Sequence, residues 1–557
     1  MPVKSLRGVK WGGLDKAPVN ANLFEEFLAR RGKNKLTLEL DLEDALFIAS
    51  CQSGFGDAVD LVLAAVASKR HIFVFGDYDV DGMTSASIWL RLLRALGASA
   101  EALIPSRADG YGLSMKAVER AAESGAGLLI CVDSGTDRVK EIERSTELGL
   151  QSLVVDHHLP KGGRPEASRP TVLLNGHFSV DPTMSKLCAA GQSFALASAV
   201  LDQNASGLPA GVVESLRRHL LQFAMVGTIS DMMDIGPGFN RAVVKAGLEE
   251  LRCDPVPCLR ALLCSMFKDR DEKIGASTIS FGLGPAINSA GRFSSPSIAL
   301  GLLLSETVAE AQQFAATLVE LNDGRRELQS AMFDKAMLGV DRSRRIAAFV
   351  GEDWEKGLVG LVASGLVDAL QRPALAATSK GGMIYGSGRS VPGFDLGTAV
   401  IAAQKRGLLV AGGGHAAACG FQCTPEDWDA FVAFVEAEML QSDDAPGSQV
   451  DLMIGSGALN VAEVEAFSEL APYGQGWAQP ILGVACRLHD VAVIGKNKDT
   501  VRVHAGFKGI AFRATHNGLM KLLESRGRDA IIIGEPVISV FGGSSSAELR
   551  IRDVVVL

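Results

Sequence analysis

Between residues 71 and 175 short apolar runs of β type alternate with helix-type stretches, and three of those runs end in carboxylates or histidines. HIFVF (71–75) leads into GDYDVDG, LLICV (128–132) into CVDSGT, and SLVV (152–155) into VVDHHLP. The segment 83–96 carries Ile88, Trp89, Leu92, Leu93 and Leu96 at helical spacing. EALIP (101–105), a helix near 114–124, a helix near 137–148 and TVLLN (171–175) continue the series. Apolar strands alternating with helices predict a parallel sheet covered on both faces.

Residues 191–250 read as helical, interrupted by a loop at NASGLPAG (204–211). In 305–338, Ala311, Phe314, Leu318, Leu321, Leu328 and Met332 form one stripe, which predicts a helix of about 30 residues, long enough to bridge two domains. A second α/β pattern fills 345–440, ending near AGGGHAAACGF. QSDDAPGSQ (441–449) reads as a linker. Short β-type runs from PILGVACRL to ELRIRDVVVL predict a small barrel, with an OB-fold as the expected type.

A chain of 557 residues, 47% hydrophobic and 21% charged, is expected to form two to four domains with real cores. No run of about 18 uncharged apolar residues occurs, and MPVKSLRGVKWGG lacks the apolar core of a secretory signal. Cys253, Cys258 and Cys264, or Cys419 and Cys423, are the nearest approach to a zinc half-site. The nine cysteines include no CxxC pair, so they read as reduced structural thiols of a cytoplasmic protein. Net charge is −9, so any attraction to nucleic acid must come from local basic patches or from metal ions.

Residues two apart in extended chain point the same way, so Asp77, Asp79 and Asp81 can converge. Carboxylates at that range repel unless a cation lies among them, and oxygen donors suit Mg2+ or Mn2+. The EF-hand alternative needs a bidentate Glu eleven residues after its first Asp. That position is Ile88, and a strand precedes the motif. Asp133, the group Asp156–His157–His158, and Asp231 in GTISDMMD extend the same chemistry. Ligands of open α/β sheets collect at carboxyl ends of strands. If His157 faces a metal, extended geometry turns His158 another way, toward substrate.

GDYDVDG, CVDSGT, VVDHH and GTISD, in that order and spacing, resemble the four motifs of the DHH phosphoesterase superfamily. AGGGHAAACGF (411–421) is similar to the GGGH signature of the DHH-associated domain. INSAGR (287–292), YGSGRS (385–390) and APYGQGWAQP (471–480) narrow the resemblance to RecJ-type single-strand-specific 5′→3′ DNA exonucleases, over about residues 45 to 557. Trp477 stands where Asn is usual, and Phe75 where some relatives have His.

The resemblance implies an α/β chain built from a parallel-sheet DHH catalytic domain, a long connecting helix, a second α/β DHH-associated domain and a C-terminal OB-like β-barrel. Expected boundaries are an N-terminal extension (1–44), catalytic domain (45–265), core extension and connecting helix (266–340), accessory domain (341–440) and OB-like domain (450–557). It further implies two Mn2+ or Mg2+ ions, with ligands Asp79, Asp81, Asp133, His157 and Asp231, and Asp77 as ligand or neighbour. His158 would face the scissile phosphate, and Asp156 would orient the histidines. Asn288, Arg292, Ser387, Arg389 and Ser390 would grip DNA, and Gly413, Gly414 and His415 would close over the nucleotide. Repair and recombination, with a helicase and a single-strand-binding protein as partners, are the implied setting.

Two divalent cations can hold a phosphodiester oxygen, activate water and offset leaving-group charge. Single-strand preference would come from a narrow cleft between the α/β domains. The barrel would add to it: residues 487–528 hold nine Lys/Arg against three Asp/Glu, with Phe507 and Phe512 among them. The alternative is a small-molecule phosphodiesterase acting on nucleotides or cyclic dinucleotides, whose relatives lack the NSAGR segment and the barrel. A catalytically dead DNA-binding scaffold is the third reading, and it predicts eroded ligand positions.

Overall fold

A computed structural model describes residues 5–34, 38–162, 171–203, 207–267, 274–440, 448–541 and 544–557. Part of the expected loop at 204–211 and most of the expected linker at 441–449 lie outside the described residues. The chain divides into two compact units. One is Lys35–Arg325 with Ala471–Ala478; the other is Met1–Asn34, Arg326–Leu470 and Gln479–Leu557.

The first unit is built on five parallel strands: β1 (His71–Gly76), β2 (Ala100–Leu103), β3 (Ala126–Val132), β4 (Gln151–Asp156) and β5 (Thr171–Asn175). Their order is 2-1-3-4-5. The unbroken apolar runs bury both faces. Ile72, Val74, Leu128 and Ile130 pack with Trp89, Phe194 and Phe223 on one side. Phe73, Phe75, Leu129 and Val154 pack with Val118 and Ile142 on the other. The order reverses beside β1, which opens a crevice at the carboxyl ends of β1 and β3.

Helix α1 (Val80–Ala95) follows β1 through GDYDVDG, with Asp79 as its N-cap. The turn is too tight for a side chain at Gly82, because a Cβ there would lie 2.4–2.7 Å from the backbone of Asp77. Three helices close the lower half of the unit: α2 (Ala189–Gln203), α3 (Ala210–Ser230) and α4 (Phe239–Cys253). Helix α5 (Gly284–Phe293) carries NSAGR.

The long helix is α6 (Val308–Gly339), 32 residues, and the division between the units falls within it. Ala311 and Leu318 are buried in the first unit's core. Leu328, just past the division, is 40% exposed, but Met332 of the same stripe is 2% exposed, so the stripe read from the sequence holds with one gap.

The second unit contains a mixed five-stranded sheet: β6 (Ala347–Glu352), β7 (Ala374–Lys380), β8 (Met383–Arg389), β9 (Ala411–His415) and β10 (Ala418–Cys423). Its order is 9-10-8-7-6, with only β6 and β7 parallel. Helices α7 (Lys356–Leu370) and α8 (Leu396–Lys405) pack against it. The C-terminal β-runs form a seven-stranded sheet between Leu452 and Val556. Ser448–Gln449, read as linker, instead pair with Trp11–Gly12, a partner 437 residues away that local composition cannot reveal. Arg31 also grips Asp451 through two 3.0 Å bonds.

Replacing Gly82 by Ala is expected to destabilise the first unit by about 1–3 kcal/mol through the clash with Asp77. Gly324→Ala, inside α6 with nothing within 4 Å of its Cβ, is expected to stabilise by about 0.5–1 kcal/mol. Urea unfolding midpoints of the two variants and wild type check both signs.

Candidate active site

The crevice beside β1 gathers every acidic and histidine residue singled out by the strand-end pattern. Asp77 directly follows β1, and its Oδ1 accepts the Gly112 amide at 3.3 Å. Asp79 Oδ1 accepts from Gly82 at 3.2 Å. Asp81 lies in the first turn of α1, where its two oxygens accept the Ala189 and Ala190 amides at the start of α2, at 2.8 and 2.9 Å. Asp133 follows β3 in a left-handed conformation, φ 59°, that Asp and Asn tolerate better than most residues. Asp231 is the C-cap of α3.

His157 unites them. Its Nε2 lies 3.2 Å from Asp133, 3.4 Å from Asp231 and 3.7 Å from Asp81. Ligand atoms fall into three close triads: Asp77–Asp79–Asp133, Asp81–His157–Asp231 and Asp133–His157–His158. Asp133 Oδ1 and His157 Nε2 are both buried with no hydrogen-bond partner among the described residues. Buried polar atoms without partners are costly, and a divalent cation supplies the missing partner for both. The oxygen-rich donor set with one or two imidazoles fits Mn2+ or Mg2+.

The electrostatics point the same way. Burial, then the Asp79 charge, pushes Asp77 up to about 7. Burial, then Asp81 and Asp79, pushes Asp231 up to about 8. Asp133 is driven well above the carboxylate range by burial and by its acidic neighbours. Asp81 is raised by burial, with His157 opposing, and burial lowers His157. So many destabilised carboxylates in one volume call for positive charge.

Asp156 behaves oppositely. Its burial is outweighed by the hydrogen bond and charge of His158 and by the Thr136 amide, which hold it below the ordinary range. Its Oδ1 accepts from His158 Nδ1 at 2.8 Å and from the His157 amide at 2.8 Å. His158 is raised in turn, burial opposing and Asp156 prevailing, and its side chain is 45% exposed. The two rings stay adjacent, their centroids 4.6 Å apart, with His157 the more buried and His158 the more exposed.

Arg292 reaches this site from α5. A Cβ on Gly291 would sit 3.2 Å from the Tyr78 carbonyl, so NSAGR packs directly on the GDYDVDG loop. Burial and the fields of Arg107 and Arg325 pull the Arg292 guanidinium down to about 10. Asn288 sits one turn earlier on α5, with a buried Oδ1 that has no partner among the described residues.

Sequence reading missed an aromatic wall. The Tyr111 hydroxyl lies 2.9 Å from His158 Nε2 and 3.0 Å from Nδ1. Tyr78 meets Tyr111 edge-on, and Arg107 stacks 4.3 Å over Tyr78. Asn175, at the end of β5, binds Thr136 and the His158 carbonyl, each at 2.9 Å. The signals were present: Tyr111 is flanked by Gly110 and Gly112, both at positive φ, and β5 is a fourth strand ending in a polar residue.

The remaining expected residues lie in the second unit. Ladder register places Arg389 opposite Ala418, which faces His415, and Ser387 opposite Gly420, which faces Gly413. These residues share one face of the sheet. A Cβ added at Gly413 or Gly420 meets nothing within 4 Å, so the face is open there, whereas α7 lies over its other end, where a Cβ on Gly360 would stand 3.0 Å from the Arg389 guanidinium. Gly414, φ 151°, cannot carry a side chain, because a Cβ would stand 2.3 Å from the Ala418 carbonyl. The Ser390 hydroxyl donates to the Phe394 carbonyl at 2.7 Å and holds the following turn. Farther along, Phe507 is buried in the C-terminal sheet and is not a surface aromatic. Phe512 is 52% exposed, with the Arg550 guanidinium 5.8 Å from its ring. All nine cysteines are free, and none joins a metal-type cluster among the described residues.

Comparison with known proteins agrees with this geometry. The model of the DHH family N-terminal domain matches residues 71–228, the DHHA1 domain 343–441 and the RecJ OB domain 450–553. The single-stranded-DNA-specific exonuclease RecJ of Bacillus subtilis is 31% identical over 96% of this chain and 68% of its own length. RecJ of Dickeya dadantii is 31% identical over 86% of each chain. The crystal structure of Thermus thermophilus RecJ with Mn2+ aligns with TM-score 0.78 and 26% identity, covering 95% of this chain and 75% of that one. Its Mg2+ complex aligns with TM-score 0.72 and 25% identity, covering 95% of this chain and 74% of that one. Fold and site together define a metal-dependent phosphoesterase of the DHH class. Within that class the chain belongs to the RecJ family.

Mn2+ in excess is expected to raise the melting temperature of the wild-type chain by several degrees, and a chelator to reverse the rise. Asp133→Asn keeps a side chain suited to the left-handed backbone while removing a charge. It is expected to melt no lower than metal-free wild type and to lose most of the Mn2+ shift. Differential scanning fluorimetry reads both.

Proposed function

We propose that this chain is a single-stranded-DNA-specific exonuclease that hydrolyses phosphodiester bonds from the 5′ end and releases 5′-mononucleotides. The observation that carries the reading is the pair of partnerless buried ligand atoms, Asp133 Oδ1 and His157 Nε2, amid destabilised carboxylates and beside Arg292. Family membership supplies the substrate class: the relatives' printed activity is on single-stranded DNA.

Asp77, Asp79, Asp81, Asp133, His157 and Asp231 would hold the metal ions, Mn2+ or Mg2+. When bound, these ions polarise the phosphoryl oxygen, lower the pKa of water and neutralise the leaving oxygen. Arg292 binds non-bridging phosphate oxygens with charge-assisted hydrogen bonds. Asp156 holds His158 by Nδ1 and favours its protonated form, so the imidazolium offers positive charge and a proton to the phosphoryl group. Asn288 lies on the Arg292 helix and would fix the same strand.

In the second unit, the sheet face bearing Ser387, Arg389, Gly413 and His415, with Gly414 between the last two in the strand, supports a backbone-tracking role, with Ser390 shaping its edge. Glycines there let a phosphate or sugar approach the main chain. Phe512 with Arg550 supports stacking of a base further along. We assign residues 45–265 and the extension to 340 to catalysis, 341–440 and 450–557 to holding the strand, and 1–44 to an N-terminal extension. A helicase and a single-strand-binding protein in the cytoplasm would be the partners in repair and recombination.

Digestion of 5′-phosphorylated single-stranded, duplex and dinucleotide substrates tests the assignment. Metal-dependent cleavage of the single strand alone is expected, and preference for the dinucleotide would favour a small-molecule phosphodiesterase. Asp133→Ala is expected to lower turnover by at least about 10³-fold, with oligonucleotide binding within a few-fold of wild type. Unchanged turnover would contradict the ligand assignment. Phe512→Ala is expected to weaken single-strand affinity by about 1–3 kcal/mol, with little change in the turnover of bound substrate; fluorescence anisotropy and single-turnover kinetics separate the two.

A further inference from the structure

Asp231 and Asp133 are held unlike the carboxylates of the GDYDVDG turn. Asp77, Asp79 and Asp81 each accept at least one backbone amide through their carboxylates. Among the described residues no such bond fixes the Asp231 carboxylate, which approaches His157 Nε2 at 3.4 Å. Its position is set by its own backbone, the end of α3 and the loop that follows. That loop turns at once, with Met232 in the left-handed region at φ 54°.

The loop is pinned by a segment distant in sequence. Residues 471–478 belong to the first unit, although the chain on either side of them belongs to the second. The Ile235 amide donates to the Gln475 carbonyl at 2.9 Å. Arg241, 4% exposed on α4, donates to the carbonyls of Pro472 and Ala471 at 3.0 and 3.1 Å. The same guanidinium lies 5.8 Å from the ring of Trp477, which is 3% exposed. Gly474 and Trp477 exchange two backbone hydrogen bonds, 2.9 and 3.2 Å, which close the segment into a tight loop.

Two glycines make the docking possible. A Cβ on Gly476, where φ is 74°, would lie 1.8 Å from Asp234 Oδ1, and one on Gly474 would lie 2.7 Å from the tip of Ile235. Asp234 cannot easily yield, because Oδ1 already accepts the Gly236 amide at 2.8 Å and Oδ2 the Lys186 ammonium at 2.6 Å.

We propose that residues 471–478 are a strap that positions the Asp231 carboxylate, with Gly474, Gly476, Trp477 and Arg241 as positioning residues for the metal centre. The inference rests on Asp231 being a metal ligand. The strap fixes the backbone at 234–235, and the three intervening bonds transmit that restraint to a carboxylate with no anchor of its own. Groups that orient a metal ligand commonly influence affinity by about 10–100-fold.

The test is Mn2+ titration calorimetry on the full chain, with the ion alone as ligand, alongside steady-state kinetics on a single-stranded oligonucleotide. Gly476→Ala is expected to retain the wild-type circular dichroism spectrum and to weaken one class of Mn2+ site by about 10-fold or more. Its kcat should fall while KM stays within about twofold, since the strap holds a metal ligand and not the strand. A Gly476→Ala isotherm superimposed on wild type overturns the strap while leaving the metal centre intact. Should Gly476→Ala fail to fold, Gly474→Ala, which meets only the flexible tip of Ile235, decides by the same measurements. Wild type binding no Mn2+, or Asp231→Asn titrating like wild type, would overturn the metal-centre reading and the strap with it.

Discussion

Mutual repulsion among buried carboxylates is the constraint around which the first unit is organised. Asp77, Asp81 and Asp133 are all nearly inaccessible to water, and Asp231 is mostly so. Placing such charges together costs several kcal/mol per ion unless opposite charge or hydrogen bonds offset it. The fold offsets part of this cost with backbone dipoles. The start of α2 gives two amides to Asp81, and the GDYDVDG turn gives one to Asp79. The balance is left to a cation. A site stable without metal would need fewer carboxylates or more partners; this one is specified to be completed by binding.

The sheet order explains why these groups can meet. With β1 between β2 and β3 and the chain departing in opposite directions on either side, the helix after β1 and the loop after β3 separate and leave a crevice. Both loops that enter it depend on particular residues: Gly82, whose missing Cβ lets the Asp77 backbone approach, and Asp133 at positive φ. The left-handed backbone of Asp133 persists only where the surrounding structure enforces it. Here that structure is a double-faced apolar core, and the rigidity of Ile72, Val74, Leu128 and Ile130 is what holds the ligand-bearing turns in place.

Much of this was legible in the amino-acid sequence. The strands, the helix after GDYDVDG, and the grouping of Asp77, Asp79, Asp81, Asp133 and His157 follow from periodicity and from residues placed at strand ends, while the place of Asp231, at the end of a helix, in that grouping rests on the motif resemblance. Other features depend on long-range contact. Phe507 and Phe512 are chemically identical and five positions apart, yet one is buried and the other exposed, because they stand in different turns flanking one short strand. Leu328 is the one exposed member of an apolar stripe in which Met332, four residues on, is buried again. Tyr111 left a local trace in its flanking glycines, yet its closeness to His158 comes from a turn 47 residues away. Ser448–Gln449 looked like linker because its pairing partner stands near the N-terminus.

The docking of residues 471–478 gives the molecule an interrupted architecture. The chain completes one unit, leaves it for eight residues to finish the other, and then returns. Membership in a unit and order along the chain therefore diverge. The first unit cannot be excised as one continuous stretch, and exchanging the C-terminal sheet by a cut before Pro472 would carry away a piece of the neighbouring core. Such a chain resists modular reshuffling: what resembles a string of separable domains is, at this point, stitched together.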